Sequence, residues 1–106
     1  MRARNVLAED NLYRFLDEYG NTREKREILL FFGSNSNIKF SKLAIYYALD
    51  CSRPKFNRAL DVLVEQGVVD ISIQNNIPLY SLTTNNEIRR NVLELADLSL
   101  DRWFCL

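Results

Sequence analysis

Residues 52–83 read SRPKFNRALDVLVEQGVVDISIQNNIPLYSLT, and this stretch decides the fold. It predicts one helix that ends at a glycine and leads directly into a tight β-hairpin. Ser52 is the expected N-cap, and Pro54 lies in the first turn, where a missing N–H costs little. Gly67 suits the left-handed position of a Schellman ending, after which Val68 folds back onto the helix. The apolar spacing predicts one buried helix face, made of Phe56, Ala59, Leu60, Leu63 and Val64.

The register of the hairpin follows from its turn. A two-residue loop at Asn75-Asn76 fits a primed turn, because asparagine tolerates positive φ. The resulting register sorts the side chains by polarity, whereas a slip of one residue would mix them. The pairs expected on the apolar face are Val69–Leu82, Ile71–Tyr80 and Ile73–Pro78, and the more polar face carries Asp70–Ser81 and Gln74–Ile77.

Further helices are expected on both sides of this stretch. Residues 5–19 and 23–32 show helical apolar spacing, with Gly20 and Gly33 as their expected ends. A short extended piece at 38–40 follows them. The expected order is therefore helix, helix, short strand, helix, helix, hairpin, helix. The signals that start these helices are Thr22, Ser41 and a capping-box pattern, Thr84-x-x-Glu87.

A short helix completes a helix-turn-helix. Ser41 can cap it, and Asp50-Cys51 forms the turn into Ser52. Its expected apolar residues are Leu43, Ala44, Tyr46, Tyr47 and Leu49. The chain here resembles the MarR and ArsR type of winged-helix transcription regulators. The residues that carry the resemblance are the short helix to Leu49, then Ser52–Arg58, Leu63-x3-Gly67-Val68-Val69, and Tyr80-x-Leu82-Thr83.

The resemblance implies a fold that is mainly α with a small β-hairpin (α+β), a winged helix-turn-helix with extra N- and C-terminal helices. At 106 residues the chain is expected to be a single domain. Residues 22–83 would be its winged-helix core, and residues 1–20 and 84–106 its flanking, dimerising helices. No apolar run approaches a membrane span and the N-terminus lacks a signal-peptide core, so we expect a cytoplasmic protein with no membrane partner.

The charge is distributed unevenly along the chain. Formal net charge is zero, which does not by itself favour nucleic-acid binding. However, residues 1–58 hold 11 Lys and Arg against 7 Asp and Glu, whereas residues 59–106 hold 3 against 7. The two parts therefore carry +4 and −4. This polarity is expected if one face meets phosphates, although chance clustering is the plain alternative.

Enzymatic chemistry is poorly supported by the residue types present. There is no histidine, which excludes Ser-His triads and histidine-ligated metals. The three glycines are expected at helix ends, so no glycine-rich phosphate loop is predicted. Cys51 and Cys105 form no recognisable cluster, and each is expected to act as a small hydrophobic residue. We therefore expect no enzyme, cofactor or metal.

The helix that starts at Ser52 is the best functional candidate. Outside its apolar face lie Arg53, Lys55, Asn57, Arg58 and Asp61. In related folds the first residues of this helix reach base edges in the major groove. Arginine pairs with guanine O6/N7, and asparagine pairs with adenine N6/N7. A solvated helix face is the plain alternative. Expected DNA-binding residues are Arg53, Lys55, Asn57, Arg58, Lys42, Lys39, Asn75 and Asn76.

The tip of the hairpin, residues 72–77, departs from the usual pattern of a DNA-binding wing. It has no Lys or Arg, whereas wings that enter the minor groove usually present a cation there. Phosphate contacts would then come from Lys39 and Lys42. The start of the second helix is another possible source, through Arg23, Lys25 and Arg26.

The last helix is expected to form a homodimer. Two apolar stripes can be drawn on it, and a helix that packs only on its own domain needs one. The expected interface residues are Ile88, Val92, Leu95, Leu98, Leu100, Trp103 and Phe104.

The expected function is sequence-specific double-stranded DNA binding in transcription regulation. The alternative is a winged-helix module that binds protein in a transcription, partition or chromosome-organising assembly.

Overall fold

A computed structural model describes the backbone of residues 6–104 and the side chains of residues 11–98. Within this range there are five helices and one antiparallel hairpin, in the expected order. The fold class, mainly α with a small hairpin, is confirmed. The elements are α1 (Val6–Tyr19), α2 (Arg23–Ser34), α3 (Lys42–Ala48), α4 (Arg53–Glu65), β1 (Val69–Gln74), β2 (Ile77–Leu82) and α5 (Asn86–Phe104). None of the helices in the described range is both long and apolar enough to cross a membrane.

The end of α4 has the expected Schellman geometry. Gly67 has a φ of +80°, in the left-handed region that favours glycine. The Val68 N–H donates to the Leu63 carbonyl at 3.0 Å, and the Gly67 N–H donates to the Val64 carbonyl at 3.0 Å. These two bonds satisfy the last carbonyls of α4 and turn the chain directly into β1.

The start of α4 differs from the prediction. Ser52 occupies the N-cap position, but its side chain makes no capping hydrogen bond. Pro54, the second helical residue, has no N–H to donate, and the Lys55 N–H is not bonded to the Ser52 hydroxyl. Ser52 contributes its backbone carbonyl instead, which accepts from the Phe56 N–H at 2.9 Å.

The hairpin register is confirmed over its full length, from Val69↔Leu82 to Gln74↔Ile77. Asn75 and Asn76 have φ values of 53° and 66°, as a primed two-residue turn requires. The expected short strand forms one bridge to β2. Phe40 and Tyr80 exchange two backbone hydrogen bonds, at 2.9 and 2.7 Å.

The apolar face of the hairpin is only partly a core face. Val69, Tyr80 and Leu82, near its base, are buried. Ile71 and Ile73 on the same face are 45% and 66% exposed. The alternation of apolar and polar residues therefore predicted the register correctly but predicted too much burial on the apolar face, because the outer half of the hairpin extends beyond the helices. We call this outer half, residues 71–78, the wing.

The core lies between α2, α4, the base of the hairpin and α5. Its largest fully buried side chains are aromatic or aliphatic. Each of these elements contributes at least one of them, and α3 contributes one more. They are Phe32, Phe56, Ile28, Leu29, Ile45, Leu60, Leu63, Val68, Val69 and Val92. Burial of these side chains is the main stabilising term and fixes how α3 and α4 are presented.

Gly33 does not end the second helix as predicted. It lies inside α2, which continues to Ser34. A Cβ at this position would lie 2.7 Å from the Ala96 Cβ and 2.9 Å from the Val92 carbonyl oxygen. Glycine is therefore present because α2 and α5 cross closely, and not because a helix ends.

Two of the three other expected helix starts are confirmed. The hydroxyls of Thr22 and Ser41 accept from the backbone N–H three residues later, at 3.2 Å in both cases. The capping box at Thr84 and Glu87 is wrong. The cap of α5 is Asn85, whose side-chain oxygen accepts from the Ile88 N–H at 3.1 Å. Asparagine is as good a cap as threonine, so the capping-box spacing selected the wrong residue.

The last helix packs differently from the expectation for a dimer interface. Val92 is fully buried in the protomer, and Ile88 and Leu95 pack half-buried against the same core. The prediction of Val92 as an interface residue is therefore wrong, because the apolar stripe of α5 that contains Val92 packs against α2 and leaves Val92 no exposed surface. Leu98 is half-buried. The side chains of Leu100, Trp103 and Phe104 lie outside the described residues.

Candidate nucleic-acid interface

The first turns of α4 form a cationic surface. Arg53, Lys55 and Arg58 are exposed, and Asn57 is half-buried. Arg53 and Asn57, four residues apart, lie on the flank of α4 that faces α3. Lys55 and Arg58, three residues apart, lie away from that flank. The structure thus places all four predicted residues of α4 at the surface, outside its buried stripe.

Arg53 is held in place by an aromatic side chain for which the sequence predicted only an apolar role. Its guanidinium carbon lies 4.8 Å from the centre of the Tyr46 ring. Tyr46 is in turn held by Phe56, with ring centres 5.4 Å apart. Since Phe56 is 1% exposed, the stack is anchored in the core. A cation stacked on a ring face keeps its in-plane N–H groups free for another acceptor.

A cleft of about 290 Å³ separates α3 from α4. Its lining combines apolar side chains with cationic and amide groups, and it brings together three of the predicted binding residues. The lining residues are Lys42, Leu43, Tyr46, Arg53, Phe56 and Asn57. We call this space the α3–α4 cleft.

The side of α3 that faces solvent is more apolar than expected. Ile45, which the sequence pattern did not single out, is the buried residue of α3. Leu43 and Tyr47, two of the apolar residues expected on this helix, are 52% and 71% exposed. On a helix this short, periodicity leaves the buried face ambiguous. Lys39 is exposed just before α3, and Lys42 is half-buried in its first turn.

The start of α2 offers fewer cations for phosphate contacts than the sequence suggested. Lys25 is only 5% exposed, and burial lowers the pKa of its ammonium group. All three cations make polar contacts within the protomer, and the two arginines remain exposed. Arg23 pairs with the Glu27 carboxylate at 2.8 Å, Lys25 donates to the Asn21 side chain at 3.0 Å, and Arg26 donates to the Gly20 carbonyl at 3.0 Å.

The wing presents amides and apolar side chains. Asn75 and Asn76 are exposed at its tip, as the predicted role requires. Ile73 and Ile77 are also exposed, at 66% and 52%. Residues 69–82 contain no Lys or Arg. The cationic surface is therefore confined to α4 and the segment around the start of α3, and does not extend onto the wing.

Arg89 is a cation whose role sequence reasoning missed. Its guanidinium donates to the carbonyls of Thr83 and Ser36 at 3.1 and 3.0 Å, and to the Asn37 side chain at 2.7 Å. It thereby joins α5 to the end of the hairpin and to the loop before Lys39. The acceptors on Ser36 and Asn37 lie more than 50 residues away in sequence, and the acceptor on Thr83 is a backbone carbonyl. No local sequence pattern therefore indicates these contacts.

Cys51 is a half-buried free thiol. Burial raises its pKa, and the carboxylates of Glu27 and Glu24 raise it further. A raised pKa disfavours the thiolate, which is the form that binds metals and acts as a nucleophile. Across the part of the chain with described side chains, no group of three or more potential metal ligands comes together. Cys105 lies outside the described residues.

Solved structures with this fold span nearly the whole chain. HlyU from Vibrio cholerae N16961 matches with a TM-score of 0.61 at 17% identity, covering 92% of this chain and 97% of HlyU. A mutant of TubR, from type III plasmid segregation, matches with a TM-score of 0.64 at 17% identity, covering 94% of this chain and 98% of TubR. The adhesin competence repressor AdcR from Streptococcus pyogenes gives 0.58 at 18% identity, covering 93% and 79%.

These likenesses establish the winged helix-turn-helix fold. Neither a protein-family model nor a curated protein sequence matches the chain. In this fold α3 and α4 are the helix-turn-helix pair, and the hairpin carries the wing.

Proposed function

We propose that this chain is a sequence-specific double-stranded DNA-binding protein that regulates transcription as a homodimer in the cytoplasm. The observation that carries the proposal is the exposed cationic start of α4, with Arg53 stacked on Tyr46. α4 would enter the major groove as the recognition helix. Arg53 or Arg58 would pair with guanine and Asn57 with adenine, while Lys39, Lys42 and Lys55 would contact phosphates.

The finer assignment to the MarR and ArsR type of regulator is also a proposal. It is supported by the sequence pattern from α3 through the hairpin and by the likeness in fold to a protein described as a competence repressor.

Selection from a random duplex library tests the proposal. The purified chain is incubated with the library, bound duplexes are recovered and amplified, and the cycle is repeated. We expect a defined sequence to be enriched, with guanine at the positions contacted by arginine. If the final pool is as random as the first, the chain does not read base sequence and the proposal is wrong.

Replacing Asn75-Asn76 by Gly-Gly should change DNA binding little. Glycine accepts the positive φ of both turn positions, so the hairpin keeps its register. The wing has no cation, so the number of released counterions stays the same. Titration of binding against salt should give the same slope for both proteins. A clear loss of sequence preference would instead show that the asparagines read the groove.

The homodimer rests on the apolar sequence at the end of α5. Since Val92 and the apolar stripe around it cover α2, a partner would contact Leu98 and the residues after it.

Deletion of residues 98–106 should therefore give a monomer or an aggregating chain. Its DNA affinity should be sharply reduced, because a dimer places two recognition helices one DNA turn (about 34 Å) apart. Light scattering measures this. Even a weakly associating dimer would form at a protein concentration of about tens of micromolar. If the intact chain is still monomeric at that concentration, the dimer proposal is wrong.

One observation favours a second candidate, a module that binds protein. The wing exposes Ile71, Ile73 and Ile77 and carries no cation, which is unusual for a surface that meets DNA. Such a module could belong to a transcription, partition or chromosome-organising assembly. The duplex selection separates the two candidates, since a protein-binding module would enrich no sequence.

A further inference from the structure

Leu43 is a large aliphatic residue that the core does not use. It is 52% exposed in the first turn of α3, whereas Ile45 fills the core from the same helix. Its exposed side chain forms one wall of the α3–α4 cleft. A surface leucine alone needs no explanation, but this one lies across the cleft from Arg53, the best-placed base-reading cation.

The α3–α4 cleft is lined by both apolar and polar side chains. Leu43, Tyr46 and Phe56 supply the apolar lining. Lys42, Arg53 and Asn57 supply cationic and amide groups around it. This arrangement suits a small apolar group on a negatively charged molecule. The two lysines at 39 and 42 and the arginines of α4 complement the phosphates of duplex DNA, which favours DNA over an uncharged ligand.

The stack of Arg53 on Tyr46 restricts where the guanidinium can point. The guanidinium carbon lies over the Tyr46 ring, 4.8 Å from its centre. The N–H edge remains available for the O6 and N7 acceptors of guanine. A base next to that guanine would then lie over the α3–α4 cleft, since Arg53 forms part of its wall. In the major groove, the apolar group that a base presents is the 5-methyl of thymine.

We infer that the α3–α4 cleft receives the 5-methyl group of a thymine adjacent to the guanine bound by Arg53, and that Leu43 determines this preference. The inference rests on the proposed function and adds a named base step to it. Leu43 contacts the methyl group directly, while Tyr46 is a positioning residue that acts through Arg53.

Deoxyuridine substitution isolates the methyl group. The probe is the duplex enriched from the random library, with each thymine replaced in turn by deoxyuridine, which differs only in lacking the 5-methyl. Binding is measured by fluorescence anisotropy. One thymine next to a guanine in each half-site should lose about fourfold in affinity when replaced, the value of one buried methyl group.

The same titrations are repeated with Leu43→Ala and with Ile77→Ala. Leu43→Ala should bind the thymine and deoxyuridine duplexes equally, because the cleft wall is gone. Ile77 is as exposed as Leu43, at 52%, but lies on the wing. Ile77→Ala should therefore keep the fourfold difference. Both sites are exposed, so neither change should impair folding.

Each other result overturns the inference in a distinct way. If no thymine shows a methyl effect, or if Leu43→Ala keeps the effect, the cleft does not read the methyl group, although DNA binding itself stands. If the sensitive thymine has no neighbouring guanine, the link to Arg53 is wrong. If no duplex is enriched at all, the proposed function fails and the inference fails with it.

Discussion

The Arg53→Ala/Arg58→Ala double variant is expected to lose on the order of 100-fold in affinity for the enriched duplex. A bidentate arginine–guanine pair contributes about 1–3 kcal/mol of discrimination, and two losses at separate base pairs add approximately. Both side chains are exposed and lie off the buried stripe of α4, so the free energy of unfolding should fall only by the loss of the Arg53–Tyr46 contact, about 0.5–1 kcal/mol. Fluorescence anisotropy gives the affinity, and urea unfolding checks the fold.

A second double variant controls for the loss of charge. Arg14 and Arg90 are exposed on α1 and α5, and neither was predicted to contact DNA. Arg14→Ala/Arg90→Ala removes the same two charges, so it should lower affinity only by its general electrostatic effect, which fades with salt. If the Arg53/Arg58 variant binds no worse than this control, α4 is not the recognition helix.

Gly33→Val should destabilise the protein strongly, because it places a branched side chain where α2 and α5 cross. A valine Cβ would meet the Ala96 Cβ at 2.7 Å and the Val92 carbonyl at 2.9 Å, and its two methyl groups would add to the clash. Over-packing at such a site costs about 1–3 kcal/mol, occasionally more. The helix propensity gained by replacing glycine, under about 1 kcal/mol, does not offset it. Urea unfolding measures the loss.

Gly67 provides the comparison that separates packing from backbone conformation. Gly67 has positive φ and no heavy atom within 4 Å of an added Cβ. Asparagine tolerates that conformation, so Gly67→Asn should be mild, whereas Gly33→Asn should be severe. If Gly33→Asn is as stable as the wild type, α2 and α5 do not cross as described.

Local signals in the sequence were enough to predict most of the fold. The positive φ tolerated by Asn75-Asn76 and the alternation around it fixed every pair of the hairpin. The spacing from Leu63 to Gly67 fixed the ending of α4. Each of these signals involves residues within one turn or one hairpin, where neighbours along the chain are also neighbours in space.

Features that depend on contacts between distant elements could not be predicted. Gly33 has the same appearance in sequence whether it ends a helix or permits a close crossing, and only the position of α5 distinguishes the two. Likewise, Tyr46 contacts Arg53 across the turn between α3 and α4. The burial of Lys25 also depends on how α2 packs against other elements, which no pattern around Lys25 shows.

The sequence predicted which residues of α4 would be exposed at the candidate site, but not how they are arranged in space. The sequence identified Arg53, Lys55, Asn57 and Arg58 from their place outside an apolar stripe, and the structure exposes or half-exposes all four. It did not identify the α3–α4 cleft, because the apolar residues of a short helix do not show in sequence which of them face solvent. A seven-residue helix has too few turns for its periodicity to select one face.

The salt dependence of duplex binding tests the central claim most directly. Affinity is measured from low to physiological salt for the enriched duplex and for a random duplex of equal length. We predict that log affinity falls linearly with log salt for both, with a slope of about −0.9 for each phosphate neutralised, and that the enriched duplex stays tighter throughout. Equal affinity for the two duplexes, or no binding even at low salt, would contradict the account.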